Sequence, residues 1–134
     1  MPTLERSVLA DPKILVVEDD PIVLMSSAHV LREAGFDVVE ATTVDDAVKV
    51  IADHGRDVAV VFTDIETPGQ LNGIDLAHAV RAAHEATPVV LTSGRVAPVL
   101  SALPADTHFV CKPYNADQVA ALIVGLVKTR NDPS

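Results

Sequence analysis

The stretch ILVVEDDP at residues 14–21 decides the fold of this chain. Its first half is a run of apolar, mostly β-branched residues, which is typical of a strand buried on both faces in a parallel sheet. The run then turns into three acidic residues and a proline, and proline is favoured in the first turn of a helix. The stretch therefore predicts a buried strand, an acidic turn and a helix in close succession.

The same alternation continues along the chain. The predicted strands are Lys13–Val17, Phe36–Glu40, Val58–Thr63, Val89–Ser93 and Thr107–Cys111, and the longer predicted helices are Pro21–Ala34, Thr43–Asp53, Ile74–Ala86 and Asn115–Thr129. The fourth of the five helices is expected to be short, from Pro98 to about Leu103, because proline is not tolerated inside a helix. Strands alternating with helices predict an α/β fold with a doubly wound, five-stranded parallel sheet.

Composition narrows the class of protein. The chain has 134 residues, which fits one domain: a flexible segment over 1–12, a folded domain over 13–130 and a tail over 131–134. Ten basic residues stand against nineteen acidic ones, with a net charge of −9, so we expect no nucleic-acid binding. No apolar stretch has the length of a membrane span or a signal peptide, so we expect a cytoplasmic protein without a membrane partner. Cys111 lies in an apolar run and is expected to be a buried, inert thiol.

Residues that can carry chemistry stand at the ends of the predicted strands. Glu18 and Asp19 follow the first strand, Asp64 the third and Lys112 the fifth, and Ser93 ends the fourth. In open α/β sheets, ligands bind beyond the carboxyl ends of the strands. We therefore expect these side chains to form one site.

The chemistry of such a site follows from its charges. Two carboxylates about 4 Å apart repel by roughly 4 kcal/mol at an effective dielectric constant of 20, so a proton or a cation must compensate them. Hard oxygen ligands without His or Cys nearby favour Mg²⁺. One carboxylate could then attack phosphorus, with Lys112 neutralising the phosphoryl oxygens and Ser93 donating a hydrogen bond to one of them.

Four stretches, in this order and at this spacing, resemble the receiver domain of response regulators in two-component signal transduction. They are ILVVEDDP at 14–21, VVFTDIETPG at 60–69 with NGIDLA at 72–77, PVVLTSG at 88–94 and FVCKPY at 109–114. The resemblance covers residues 13 to about 128 and implies a flavodoxin-like (βα)5 fold with strand order 2-1-3-4-5. The chain also looks similar to the free-standing receivers of alphaproteobacteria.

The resemblance assigns the phosphorylation site. Asp64 would be the phosphoacceptor, and Lys112 the active-site lysine, with a cis peptide before the proline that follows it. Glu18 and Asp19 would be the acidic pair, with Asp19 a direct ligand of Mg²⁺. Asp64 and the backbone carbonyl of Glu66 would complete the metal ligands.

The resemblance also implies a conformational switch. Ser93 would be the switch hydroxyl and Phe109 the switch aromatic, although Phe109 lacks the hydroxyl often found there. Glu66 and Arg95 would flank the approach of water to the phosphoryl group. Since their charges are opposite, we expect them to pair and to slow dephosphorylation. Two further departures from the family pattern are the short fourth helix and a loop from Asp64 to Gly73 that is one residue longer than usual.

The implied partners are proteins. The phosphoryl group would come from a histidine kinase or a histidine phosphotransfer protein. The signal would pass to an unknown downstream protein, or the chain would act as a phosphate shuttle or sink. It would assist its own phosphorylation and dephosphorylation without being an enzyme.

Three alternatives stay open from the residues alone. The sequence DIET at 64–67 echoes the DxET motif of metal-dependent exonucleases. A phosphatase of the haloacid dehalogenase type would also form an aspartyl phosphate, but this chain lacks an Asp two residues after the nucleophile. A receiver that binds partners without phosphorylation is the third, and the intact acidic pair, acceptor and lysine argue against it.

Overall fold

The computed structural model describes residues 11–67, 69–84, 86–94 and 103–131. The strands are β1 (Lys13–Val17), β2 (Asp37–Ala41), β3 (Val58–Asp64), β4 (Val89–Ser93) and β5 (Thr107–Cys111), and the described helices are α1 (Pro21–Glu33), α2 (Val44–His54), α3 (Gly73–Ala83) and α4 (Ala116–Asn131). All strand pairs are parallel, and the strands lie in the order β2-β1-β3-β4-β5. The predicted α/β fold with strand order 2-1-3-4-5 is confirmed.

Some predictions fall outside the described residues. Residues 95–102 include most of the short helix expected from Pro98 to about Leu103, so that helix stays a prediction. The same holds for the terminal segments, of which residues 1–10 and 132–134 are not described. Within the described ranges, no helix combines the length and the apolar character needed to cross a membrane.

The sheet is buried between two layers of helices. Alternate residues of a strand point to opposite faces, so Ile14 and Val16 of β1 join one core cluster while Leu15 and Val17 join the other. The first cluster is completed by α1 and α4, and the second by α2 and α3. Aliphatic residues dominate both clusters, in keeping with a chain that has three Phe, one Tyr and no Trp.

Polar side chains cap the N-termini of α1 and α3. The Asp20 carboxylate accepts the backbone N–H groups of Ile22 and Val23 at the start of α1. Asn72 and Asp75 form a reciprocal capping box at the start of α3. Such caps satisfy backbone N–H groups that have no partner within the helix. They fix where each helix begins relative to the end of the preceding strand.

Two sequence-based expectations need correction. Helix α3 ends at Ala83, three residues earlier than predicted, because the backbone of His84 leaves the helical region at φ −145° and ψ 86°. Cys111 is exposed rather than buried. It ends β5, an edge strand that pairs with β4 alone, and an edge strand is less covered than a central one.

Gly73 stands at a close approach between α3 and the end of β3. A Cβ atom at this position would lie 2.5 Å from the carbonyl oxygen of Asp64 and 2.9 Å from the Cα of Ile65. Both are backbone atoms, so a side chain here could not be accommodated by a rotamer change alone. Gly73 therefore lets α3 begin directly against the backbone of Asp64.

We expect Gly73→Ala to lower the free energy of unfolding by about 1–3 kcal/mol, because the methyl group overpacks the backbone of β3. Gly125→Ala on α4 is the matched control, since a Cβ atom there meets nothing within 4 Å. It should raise stability by up to about 1 kcal/mol through helix propensity. Urea denaturation of both variants tests the pair, and equal stability of Gly73→Ala and wild type would contradict the steric explanation.

Candidate functional site

The register of the sheet gathers the strand ends at one edge. Val17 pairs with Thr63 across β1 and β3, so the residues that follow, Glu18 and Asp64, come side by side. On the other side of β3, Asp64 pairs with Thr92 of β4. Ser93 then pairs with the last residue of β5, and the backbone N–H of Lys112 donates to the Ser93 carbonyl at 3.0 Å.

Three carboxylates form a compact group at this edge. Glu18, Asp19 and Asp64 each offer an oxygen, and these atoms all lie within 4.8 Å of one another. Glu18 is 5% exposed and Asp64 is 4% exposed, whereas Asp19 is open to solvent. The group has the donor chemistry for a hard divalent cation, with one side open for its entry.

Lys112 faces two of these carboxylates. Its ammonium nitrogen donates to Asp64 Oδ2 at 2.6 Å and lies 3.5 Å from Glu18 Oε1. Burial works to lower the pKa of Lys112, but the hydrogen bond and the charge of Asp64 outweigh it, so the pKa lies above its ordinary value. Lys112 therefore stays cationic at neutral pH. The peptide bond between Lys112 and Pro113 is cis, as the resemblance implies.

Glu18 is held in a less favourable setting. Burial raises the pKa of its carboxyl above the ordinary value, and the charge of Asp64 adds to the effect. A hydrogen bond from the Asp20 backbone N–H to Glu18 Oε2, at 3.0 Å, works in the opposite direction. The carboxyl thus resists ionisation in the metal-free protein and gains from any cation bound beside it.

Ser93 and Glu66 are in contact across the edge of β3 and β4. The Ser93 hydroxyl, which is buried, donates to the two carboxylate oxygens of Glu66 at 2.7 and 2.8 Å. The backbone N–H of Glu66 donates to Asp64 Oδ1 at 3.1 Å. Asp64, Glu66 and Ser93 are therefore linked by hydrogen bonds. This contact was not predicted from the sequence.

Two other residues were expected at the site, Phe109 and Arg95, and the structure describes only the first. Phe109 is half-buried on β5 and packs against the cluster formed with α2 and α3. Arg95 lies outside the described residues, so its pairing with Glu66 stays a prediction. The roles of Phe109 and of the Glu66 carbonyl are likewise expectations.

An apolar surface borders the acidic group. Ile22 is 74% exposed and Met25 is 69% exposed on α1. A groove of about 600 Å³ is lined by Ile22, Val23 and Ser26 of α1 and by Lys112, Pro113 and Tyr114. The sequence held a signal for this surface, because Ile22 and Met25 stand three apart, outside the buried stripe of Leu24, Ala28 and Leu31.

Comparison with known proteins agrees with this geometry. A family model described as the response regulator receiver domain matches residues 14–124. The receiver protein of Sinorhizobium medicae has a crystal structure that superposes with a TM-score of 0.84 at 25% identity, covering 92% of this chain and 99% of that one.

Curated relatives include the nitrogen assimilation regulatory protein NtrX of Azorhizobium caulinodans, 29% identical over 87% of this chain, and the sensor kinase CckA of Brucella abortus, 26% identical over 88%. The chain spans 26% of the length of NtrX and 13% of the length of CckA. The likeness is therefore confined to one region of those longer proteins. With the family model matching most of its length, the chain belongs to the response regulator receiver domain family of two-component signalling.

Proposed function

We propose that this chain accepts a phosphoryl group on Asp64 from a histidine kinase or a histidine phosphotransfer protein, with the help of Mg²⁺. The observation that carries the proposal is the setting of Asp64. Its buried carboxylate ends β3, accepts a hydrogen bond from Lys112 Nζ at 2.6 Å and belongs to the group of three carboxylates.

The three clustered carboxylates have the ligand chemistry that magnesium prefers. Receiver domains bind Mg²⁺ at an acidic pocket, and here Glu18, Asp19 and Asp64 supply hard oxygen donors close together. These three residues, with the backbone carbonyl of Glu66, would hold the ion. When bound, Mg²⁺ would neutralise negative charge on the phosphoryl oxygens.

The residues of the chain have defined parts in the transfer. A carboxylate oxygen of Asp64 attacks phosphorus as the bond from phosphorus to the donor histidine nitrogen breaks. The bonding electrons stay on that nitrogen, and the imidazole ends with a proton in place of the phosphoryl group. Lys112 already contacts Asp64 and is cationic, so it can stabilise charge on the phosphoryl oxygens without moving far.

Signalling would follow from the new charge on Asp64. Receiver domains interact with histidine kinases and downstream effectors, and the family is not composed of conventional enzymes. In this chain Ser93 would move to donate to a phosphoryl oxygen, and Phe109 would turn inward. A downstream protein that contacts the altered surface would then be bound differently, because a ligand shifts an equilibrium through its differential contacts with the two states.

The apolar surface on α1 suits the phosphoryl donor. A donor histidine must approach Asp64 from outside, and the groove lined by Ile22 is also lined by Lys112, which contacts Asp64. Exposed apolar side chains next to a reactive site are typical of protein docking. We therefore assign this groove to the segment of the donor protein that carries the phosphohistidine.

The nuclease alternative fits less well. A DxE metal site needs both carboxylates of the motif on the metal, but the Glu66 carboxylate accepts from Ser93 and is not in the group formed by Glu18, Asp19 and Asp64. Incubation with acetyl phosphate, or with single-stranded DNA, in the presence of Mg²⁺ separates the two. The proposed function requires a labile acyl phosphate and no cleavage.

Asp64→Asn is expected to abolish phosphorylation by acetyl phosphate, because the amide is nearly isosteric but cannot act as the nucleophile. Intact mass measurement in Mg²⁺ reports the added phosphoryl group, and circular dichroism reports the fold. Asp53→Asn, at an exposed position of α2, is the control and should be phosphorylated like wild type. Phosphorylation of Asp64→Asn at the wild-type rate would rule out Asp64 as the acceptor.

The Ile22→Ser, Met25→Ser double variant is expected to slow transfer from a protein donor by at least about tenfold, since tenfold corresponds to only about 1.4 kcal/mol of binding. Phosphorylation by acetyl phosphate should be unchanged, because the small donor needs no docking surface. The donor for this experiment is selected from a panel of phosphorylated kinases and phosphotransfer proteins, as the one that transfers its phosphoryl group fastest to the wild-type chain. Ala52→Ser, on the exposed side of α2, is the control. Unchanged transfer in the double variant would remove α1 from the interface.

Glu18→Gln is expected to stabilise the metal-free protein by about 1 kcal/mol at pH 7 and to weaken Mg²⁺ binding. The pKa of Glu18 is raised above its ordinary value of 4.5, so the folded state favours the protonated form. The stability that protonated Glu18 adds to the folded state is fully present below the ordinary pKa. It is lost as the pH rises through the raised pKa. The stability advantage of Glu18→Gln should therefore shrink as pH falls toward 4.5. Thermal denaturation with EDTA at several pH values measures it, and a constant difference would refute the electrostatic cause.

A further inference from the structure

The Glu66–Ser93 contact occupies the hydroxyl that phosphorylation would need. The Ser93 hydroxyl donates to the two carboxylate oxygens of Glu66 at 2.7 and 2.8 Å. A serine hydroxyl has a single proton to donate. It cannot serve Glu66 and a phosphoryl oxygen on Asp64 fully at the same time.

The position of Glu66 makes this competition direct. Its backbone N–H donates to Asp64 Oδ1, so its chain segment is fixed beside the acceptor, while its side chain reaches across to Ser93. Asp64 itself pairs with Thr92, the residue before Ser93. The carboxylate of Glu66 and a phosphoryl group on Asp64 would thus both approach the same hydroxyl from the carboxyl end of β3.

Charge adds to the competition. The Glu66 carboxylate and a phosphoryl group are both anions, and the nearby carboxylates of Glu18, Asp19 and Asp64 already repel further negative charge. Hydrogen bonds to an ionised acceptor are about twice as strong as neutral ones. The hydroxyl is therefore held by a good acceptor, although the exposure of Glu66 to solvent weakens the contact.

We propose that Glu66 is a positioning residue that latches Ser93 in the unphosphorylated protein: its carboxylate takes the place of the phosphoryl oxygens, and phosphorylation must displace it. The inference rests on the proposed function and deepens it. The latch opposes both phosphorylation and the switch, so it keeps the resting protein from responding to weak donors. Displaced by a phosphoryl group, the Glu66 side chain is free to turn to solvent.

A double-mutant cycle tests the latch in the full chain. The four proteins are wild type, Glu66→Ala, Ser93→Ala and the double variant, and the probe is beryllium fluoride with saturating Mg²⁺, an analogue of the phosphoryl group. We expect Glu66→Ala to bind the probe about fivefold more tightly than wild type, and to gain less than about twofold when Ser93 is already alanine. Calorimetric titration measures the four affinities, and thermal denaturation verifies that each protein is folded.

Two further variants separate hydrogen bonding from charge. Glu66→Gln removes the charge but keeps an acceptor oxygen, so its gain should be about twofold and should also depend on Ser93. Asp53→Ala removes one exposed charge on α2 and should leave the affinity unchanged. The rate of phosphorylation by acetyl phosphate should follow the same order as the affinities.

The outcomes are distinct. A gain that is equal with and without Ser93 overturns the latch, because it would show general electrostatic repulsion by Glu66. No gain at all in Glu66→Ala overturns it as well. If wild type takes up neither beryllium fluoride nor an acyl phosphate, the proposed function fails and the latch fails with it. A gain that requires the Ser93 hydroxyl supports the latch.

Discussion

The ion pair between Lys112 and Asp64 is the interaction on which the site depends. Asp64 is almost completely buried, and an unpaired charge in such a place is strongly unfavourable. The lysine compensates it at 2.6 Å and contacts Glu18 as well. Because this pair lies where several strands end, the sheet can hold a buried carboxylate whose charge is compensated by a cation. The remaining negative charge is what a divalent cation would offset.

The topology of the sheet determines where the Lys112–Asp64 ion pair lies. In a parallel sheet with strand order 2-1-3-4-5, the helices change sides between β1 and β3, and a cleft opens at the carboxyl ends of these strands. Glu18 follows β1 and Asp64 ends β3, so the cleft contains both. Gly73 allows α3 to start against the backbone of Asp64. Asp64 is therefore positioned by regular structure and not by a loop alone.

The sequence was most informative where structure is local. The bounds of β1, β4 and β5 were predicted correctly, since each is a compact apolar run between turn residues. The early end of α3 was missed because Glu85 and Ala86 are good helix formers in isolation. In the structure the helix ends where the backbone of His84 leaves the helical region. The exposure of Cys111 was missed because the apolar run around it indicates burial, whereas the predicted strand order places β5 at the edge of the sheet. The contact between Ser93 and Glu66 joins residues 27 positions apart, and no local pattern encodes it.

Tyr114 is an intrinsic fluorescence probe in a well-defined environment. The ring meets the edge of Phe62 at a centroid distance of 5.7 Å, and its hydroxyl lies 3.2 Å from Ser27 Oγ. It is the chain's single tyrosine, and the chain has no tryptophan. Ultraviolet emission from the native protein therefore comes from one known place, two residues after Lys112. Changes around the proposed phosphorylation site should therefore be measurable in real time by fluorescence, without attaching a dye or inserting a reporter residue.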